Sequence, residues 1–139
     1  ERITAIFINN AVYGMTGGQM APTTLLDQQT TTTPYGRDLR IEGYPLKMSE
    51  ILALVKGTVY IERTAVNSPA NIRKTKKAIR KAFQTQIDDL GFSLVEILSP
   101  CPTNWKMSPL EAWQWIDKEM TKEFPLGVIK DITGKKDAD

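Results

Sequence analysis

The sequence predicts an α/β fold: an open, mostly parallel sheet with flanking helices. Two runs carry most of that reading, Ile3 to Ile8 and Phe92 to Leu98, because near-continuous apolar strand formers suit strands covered on both faces. A third observation joins them. Strand patterns alternate with helical ones along the chain, which is the order of a sheet built by right-handed crossovers.

The elements follow in order. Ile3 to Ile8 is the first strand, and it begins almost at Glu1, which is not a Met. A covered strand is seldom a first element, so the expectation is a fragment whose preceding part, with at least one neighbouring strand, lies outside this chain. Asn9 to Gln19 reads as a polar, glycine-bearing turn. The stretch that continues through Pro22-Thr23-Thr24 and Thr30 to Pro34 lacks periodicity, and long segments of that kind in compact domains are functional or disordered; the functional reading is preferred. A short helix is placed with Ser49 as its N-cap, carrying Ile51, Leu52, Leu54 and Val55 and stopping at Gly57. Thr58 to Arg63 then alternates as a strand. The clearest helix is capped by Ser68, has Pro69 in its first turn and ends before Gly91, with Ile72, Ile79, Phe83, Ile87 and Leu90 as its apolar side. After the strand Phe92 to Leu98 comes the turn Ser99 to Asn104. Ser108-Pro109-Leu110-Glu111 is a capping box that opens a helix through Trp113, Trp115, Ile116 and Met120. One of Trp113 and Trp115 belongs to the core, since the two point to different helix faces. Beyond Phe124 periodicity fades, and Gly134 to Asp139 reads as a frayed tail.

Composition narrows the chemistry. The chain has 139 residues, 41% hydrophobic and 24% charged, which is ordinary for one domain able to bury a core without staples. It contains no His, so imidazole is excluded as base, nucleophile partner or metal ligand. Its one cysteine, Cys101, rules out an internal disulfide and an iron-sulfur cluster held by this chain alone. A net charge of +2 is too mild to point to nucleic acid or a membrane surface. No signal peptide or membrane span is visible, and the expected location is cytoplasmic.

In open α/β sheets ligands bind outside the carboxyl ends of the strands, where Asn9-Asn10 lies. An Asn oxygen and a nearby backbone carbonyl are hard neutral ligands suited to magnesium, and glycines let the backbone approach a phosphate. If Thr16-Gly17-Gly18-Gln19 opens a helix, its free N–H groups add to that anion site. On local grounds alone the segment also suits ordinary turn chemistry. The run Asn9-Asn10, Tyr13-Gly14-Met15-Thr16-Gly17-Gly18-Gln19 and Pro22-Thr23-Thr24 closely resembles the second half of the thiamin-diphosphate motif in the β subunit of 2-oxoacid:ferredoxin oxidoreductases. Ser99-Pro100-Cys101-Pro102-Thr103-Asn104-Trp105 is similar to the cysteine-bearing turn near the C-terminus of the same subunit. Two motifs in the right order are much more specific than either alone.

The resemblance implies that residues 1–139 form the C-terminal part of a single thiamin-diphosphate-binding domain, a partial fold of that type. Carried over by position, Asn10 would give its side chain and Val12 its carbonyl to Mg2+. Tyr13, Gly14, Met15 and Thr16 would line the diphosphate and thiazolium end of the cofactor. Cys101 would be the last of four thiolates on an iron-sulfur cluster. The family's Gly-Asp-Gly-Asp segment and three N-terminal cysteines are not in this sequence, so the chain is expected to be inactive alone. The implied activity is CoA-dependent oxidative decarboxylation of a 2-oxo acid, with 2-oxoglutarate or a branched-chain 2-oxo acid favoured and ferredoxin as electron acceptor. The implied partners are an α subunit and γ and δ subunits of the same enzyme. The basic helix residues Arg73, Lys74, Lys76, Lys77, Arg80 and Lys81 read as a solvated face; the competing reading is that they steer an acidic carrier. A non-catalytic α/β module that grips an acidic partner through that helix is the alternative function.

Overall fold

A computed structural model describes residues 2–134. Its main sheet has four strands: β1 (Thr4–Asn9), β4 (Thr58–Ala65), β5 (Phe92–Leu98) and β6 (Gly127–Asp131). Two short strands between the first pair, β2 (Val12–Tyr13) and β3 (Gln19–Met20), form a separate hairpin. The strand order is β1-β5-β4-β6; β1 and β4 both run parallel to β5, and β6 runs antiparallel to β4. The expected open, mostly parallel sheet is therefore present.

Between β3 and β4 lie two short helices, α1 (Leu39–Glu42) and α2 (Met48–Ala53). The crossover from β4 to β5 is α3 (Pro69–Ile87), whose cap Ser68 accepts from the Asn71 N–H as expected. After β5 come α4 (Pro102–Trp105), α5 (Pro109–Trp115), a π-helical turn over Ile116–Met120 and α6 (Thr121–Glu123). Ser108 and Glu111 form the expected capping box of α5. Two apolar cores result. One packs Ala78 and Ala82 of α3 on Tyr60, Val95 and Ile97; the other gathers Ala11, Val12 and Leu25 with Leu98, Ile116 and Phe124.

Several sequence expectations need correction. β1 lies at an edge of the described sheet with Ile3, Ile6 and Ile8 exposed, so the described residues do not themselves cover it on both faces. Ser49 is not a cap: Lys47 precedes α2 without a side-chain cap bond, and Ser49 is fully buried inside the helix. The buried face of α3 consists of the small residues Thr75, Ala78, Ala82 and Thr85, while Phe83, Ile87 and Leu90 are exposed. Close approach to the sheet selects small side chains over large ones there. No helix follows Thr16-Gly17-Gly18-Gln19; the chain turns into β3. β6 was not legible because Gly127–Asp131 is an edge strand with three of its five residues exposed, and it lacks an apolar run. Of the tryptophans, Trp113 is exposed, and Trp115 packs on Trp105 at 4.5 Å between ring centroids, so one of the pair joins the core. From Lys135 onward the expected frayed tail lies outside the described residues.

The long stretch after β3 is held by one side chain. Arg37 is buried and donates to the carbonyls of Ala21, Pro22, Thr24, Glu42, Gly43 and Tyr44. A single guanidinium thus satisfies backbone acceptors that a strand or helix would otherwise cover.

Candidate cofactor and metal site

The site grows from the carboxyl end of β1. Asn9 is buried and its Oδ1 accepts from the Ala11 N–H at 3.1 Å. That bond closes a side-chain turn and holds Ala11 in the left-handed region at φ 56, a conformation that a residue with a Cβ seldom adopts. Next in the chain, Asn10 Oδ1 lies 3.3 Å from the Val12 nitrogen, and the Asn10 carbonyl accepts from Trp105 Nε1 at 3.1 Å. Thr24 Oγ1 donates to the Ala11 carbonyl at 2.6 Å. The turn is fixed from three sides.

The two motifs meet at Gly14. A Cβ there would sit 3.2 Å from Asn10 Nδ2, 3.2 Å from Asn104 Nδ2 and 3.3 Å from Cys101 Sγ. Glycine leaves that space open. Asn104 Nδ2 donates both to the Gly14 carbonyl at 3.2 Å and to Cys101 Sγ at 3.1 Å, so it ties the cysteine turn to the hairpin. Gly18 has φ +79, and a Cβ on it would lie 2.7 Å from Asn104 Oδ1, so both its backbone conformation and its surroundings require glycine. Asn10 is half-buried, and Tyr13, Met15 and Thr16 are exposed on the hairpin. A cavity of about 260 Å³ beside them is lined by Ile8, Asn9, Asn10, Val12, Tyr13 and Thr23, among others.

Asn10 and Val12 thus share the β1 end with Gly14 and Cys101. Asn104 and Trp105 belong to the cysteine turn, and their contacts with Gly14 and Asn10 join residues too far apart in the chain for any local pattern to show. Two further residues went unnoticed. Glu96 of β5 accepts from Asn9 Nδ2 at 2.8 Å and from Arg63 Nε at 2.8 Å, and both charged side chains are 1% exposed. Arg63 also reaches Glu50 at 2.6 Å. Burial acts to lower the Arg63 pKa, but the bonds and charges of Glu50 and Glu96 more than offset it and leave it raised. The available signal was a Glu and an Arg of opposite sign inside two otherwise buried strands.

The donor chemistry fits part of the implied groups. The Asn10 amide oxygen and the Val12 carbonyl are neutral hard oxygens of the kind magnesium takes. Among the described residues no three His, Cys, Asp or Glu side chains gather as a metal site, so a carboxylate ligand would have to come from elsewhere. Cys101 is half-exposed and free, and its Sγ accepts from Asn104 Nδ2, the kind of outer hydrogen bond that orients a metal-bound thiolate.

A mostly parallel sheet whose first strand ends in an Asn-Asn turn over a glycine hairpin is an open α/β domain, the class that takes ligands at the carboxyl ends of its strands. The chain belongs to the family described as thiamine pyrophosphate enzyme, C-terminal TPP binding domain, whose model matches residues 1–97. It is 47% identical over 131 residues to the ketoisovalerate oxidoreductase subunit VorA of Methanothermobacter marburgensis, covering 94% of this chain and 27% of that one. It is 40% identical over 109 residues to the 2-oxoglutarate synthase subunit KorB of Archaeoglobus fulgidus, covering 78% and 36%. With the pyruvate synthase subunit PorB of Methanosarcina barkeri it shares 33% identity over 103 residues, covering 73% and 32%. The chain spans about a third or less of the length of these relatives. Among the described residues no helix is long and apolar enough to cross a membrane.

Proposed function

We propose that this chain is the C-terminal part of the thiamin-diphosphate-binding subunit of a 2-oxo acid oxidoreductase. The reaction is CoA-dependent oxidative decarboxylation with electrons passing to ferredoxin. One observation carries the reading: Asn10, Gly14, Cys101 and Asn104 converge within hydrogen-bond or van der Waals distance, although the two motifs lie some 90 positions apart. β1 and β5 pair with Asn9 opposite Leu98, so both loops leave the same end of the sheet, where open α/β sheets take their ligands.

In this reading the Asn10 side chain and the Val12 carbonyl hold Mg2+, Tyr13 to Thr16 line the diphosphate and thiazolium end, and Cys101 completes a cluster with thiolates from residues outside this chain. Thiamin diphosphate, when bound, would supply the carbon nucleophile for decarboxylating a 2-oxo acid; the protein's share is position and electrostatics. The fixed Asn9–Val12 turn holds the neutral oxygen donors in place before the metal arrives. Asn104 keeps the thiolate oriented toward the cofactor hairpin through the 3.1 Å bond to Cys101 Sγ. The aspartate ligand, the other cysteines and the α, γ and δ partner subunits are supplied from elsewhere in the enzyme. A branched-chain substrate is favoured, because of the three relatives named above the chain is 47% identical to the ketoisovalerate subunit, 40% to the 2-oxoglutarate one and 33% to the pyruvate one.

Asn10→Ala in the assembled oxidoreductase should weaken Mg2+ and thiamin diphosphate together, by about tenfold or more, since it removes the side-chain oxygen that would hold the metal. A calorimetric titration measures both. Undiminished affinity would refute the assignment.

A further inference from the structure

The mechanism above leaves a buried charged network unused. Glu96 sits mid-strand in β5 with its two oxygens divided between two tasks. Oε2 accepts from Arg63 Nε at 2.8 Å and from Ser49 Oγ at 2.5 Å. Oε1 accepts only from Asn9 Nδ2, at 2.8 Å. Asn9 then has one free oxygen, and it accepts from the Ala11 N–H. The amide is therefore oriented by Glu96: turned over, its NH2 would face the Ala11 N–H, donor to donor, and its oxygen would face a carboxylate.

Resting on the proposed function, we propose that Glu96 is a positioning residue for the cofactor-metal turn, acting through Asn9. Arg63 and Ser49 fix the carboxylate from one side. The carboxylate fixes the Asn9 amide, and the amide holds Ala11 at φ 56. The left-handed residue turns the chain so that Asn10 precedes it and Val12 follows it in the arrangement observed. Such a conformation persists only where its surroundings over-determine it.

The test reads cofactor affinity in the assembled enzyme by titration with Mg2+ and thiamin diphosphate. Asn9→Ala leaves the Arg63–Glu96 pair intact and removes only its link to the turn. It should lower affinity about 10- to 100-fold, the range seen when outer-shell partners of a metal site are lost. Two double variants isolate the acceptor without leaving a buried charge alone: Arg63→Met with Glu96→Gln, and Arg63→Met with Glu96→Leu. The Gln side chain keeps an oxygen for Asn9 Nδ2 while its amide faces Ser49 Oγ, so affinity should be retained; the Leu form should lose it. Equal losses in both double variants would overturn the positioning role, because packing would then be all that Glu96 provides. Wild-type affinity in Asn9→Ala while Asn10→Ala binds weakly would overturn it too, and would leave the site assignment standing. If Asn10→Ala also bound normally, the site assignment itself would fall and this inference with it.

Discussion

Arg63→Met is expected to lower the unfolding free energy by about 3–5 kcal/mol, because it strands the Glu96 carboxylate, 1% exposed, without its cation. Urea denaturation reads the change as a shift in midpoint at constant slope. The two partners of Arg63 should differ sharply. Glu50 has a side chain 39% exposed, so Glu50→Ala should cost about 1 kcal/mol or less, as an ion pair open to water usually does. Replacing the buried pair together, Arg63→Met with Glu96→Leu, should recover most of the loss, since two apolar groups of similar volume leave no uncompensated charge. A single variant as stable as the parent protein would mean that water reaches Glu96.

Cys101→Ser in the assembled enzyme should remove most of the cluster iron and most of the electron transfer to ferredoxin, while thiamin diphosphate still binds. A metal-bound thiolate is deprotonated outright, and an alkoxide replaces it poorly at neutral pH. The cysteine meets the β2–β3 hairpin at Gly14 and through Asn104, and neither of those contacts involves the Asn10 oxygen. Iron analysis and a ferredoxin-reduction assay separate the two effects. Normal iron with normal ferredoxin reduction would reduce Cys101 to a packing residue.

Local chemistry explains what was readable from the sequence. Ser68-Pro69 and the Ser108–Glu111 box are contained within a few residues, and both caps form as their spacing requires. The apolar runs marked β1 and β5 for the same reason, and the Asn9-Asn10 turn lies where a parallel strand must end. What escaped depends on partners distant in the chain. Glu96 and Asn9 are 87 positions apart, and Trp105 meets the Asn10 carbonyl across 95. The buried face of α3 does not follow apolar size: the helix approaches the sheet closely enough for Ser93 Oγ to donate to the Ala82 carbonyl at 3.1 Å, and it buries Ala78 and Ala82 while Phe83 and Ile87 stay exposed. β6 depends on its pairing with β4 rather than on any pattern of its own.

Two motifs far apart in the chain meet at one end of the sheet, and the proposed function puts a metal at Asn10 and Val12 and a cluster thiolate at Cys101 there. Anomalous diffraction from crystals of the assembled enzyme, with Mn2+ exchanged for Mg2+ in the presence of thiamin diphosphate, tests it directly. The account requires a manganese peak about 2.1 Å from Asn10 Oδ1 and from the Val12 carbonyl, and a separate iron peak bonded to Cys101 Sγ. Manganese bound elsewhere with the Asn10 side chain unliganded, or iron with no bond to Cys101, would contradict it.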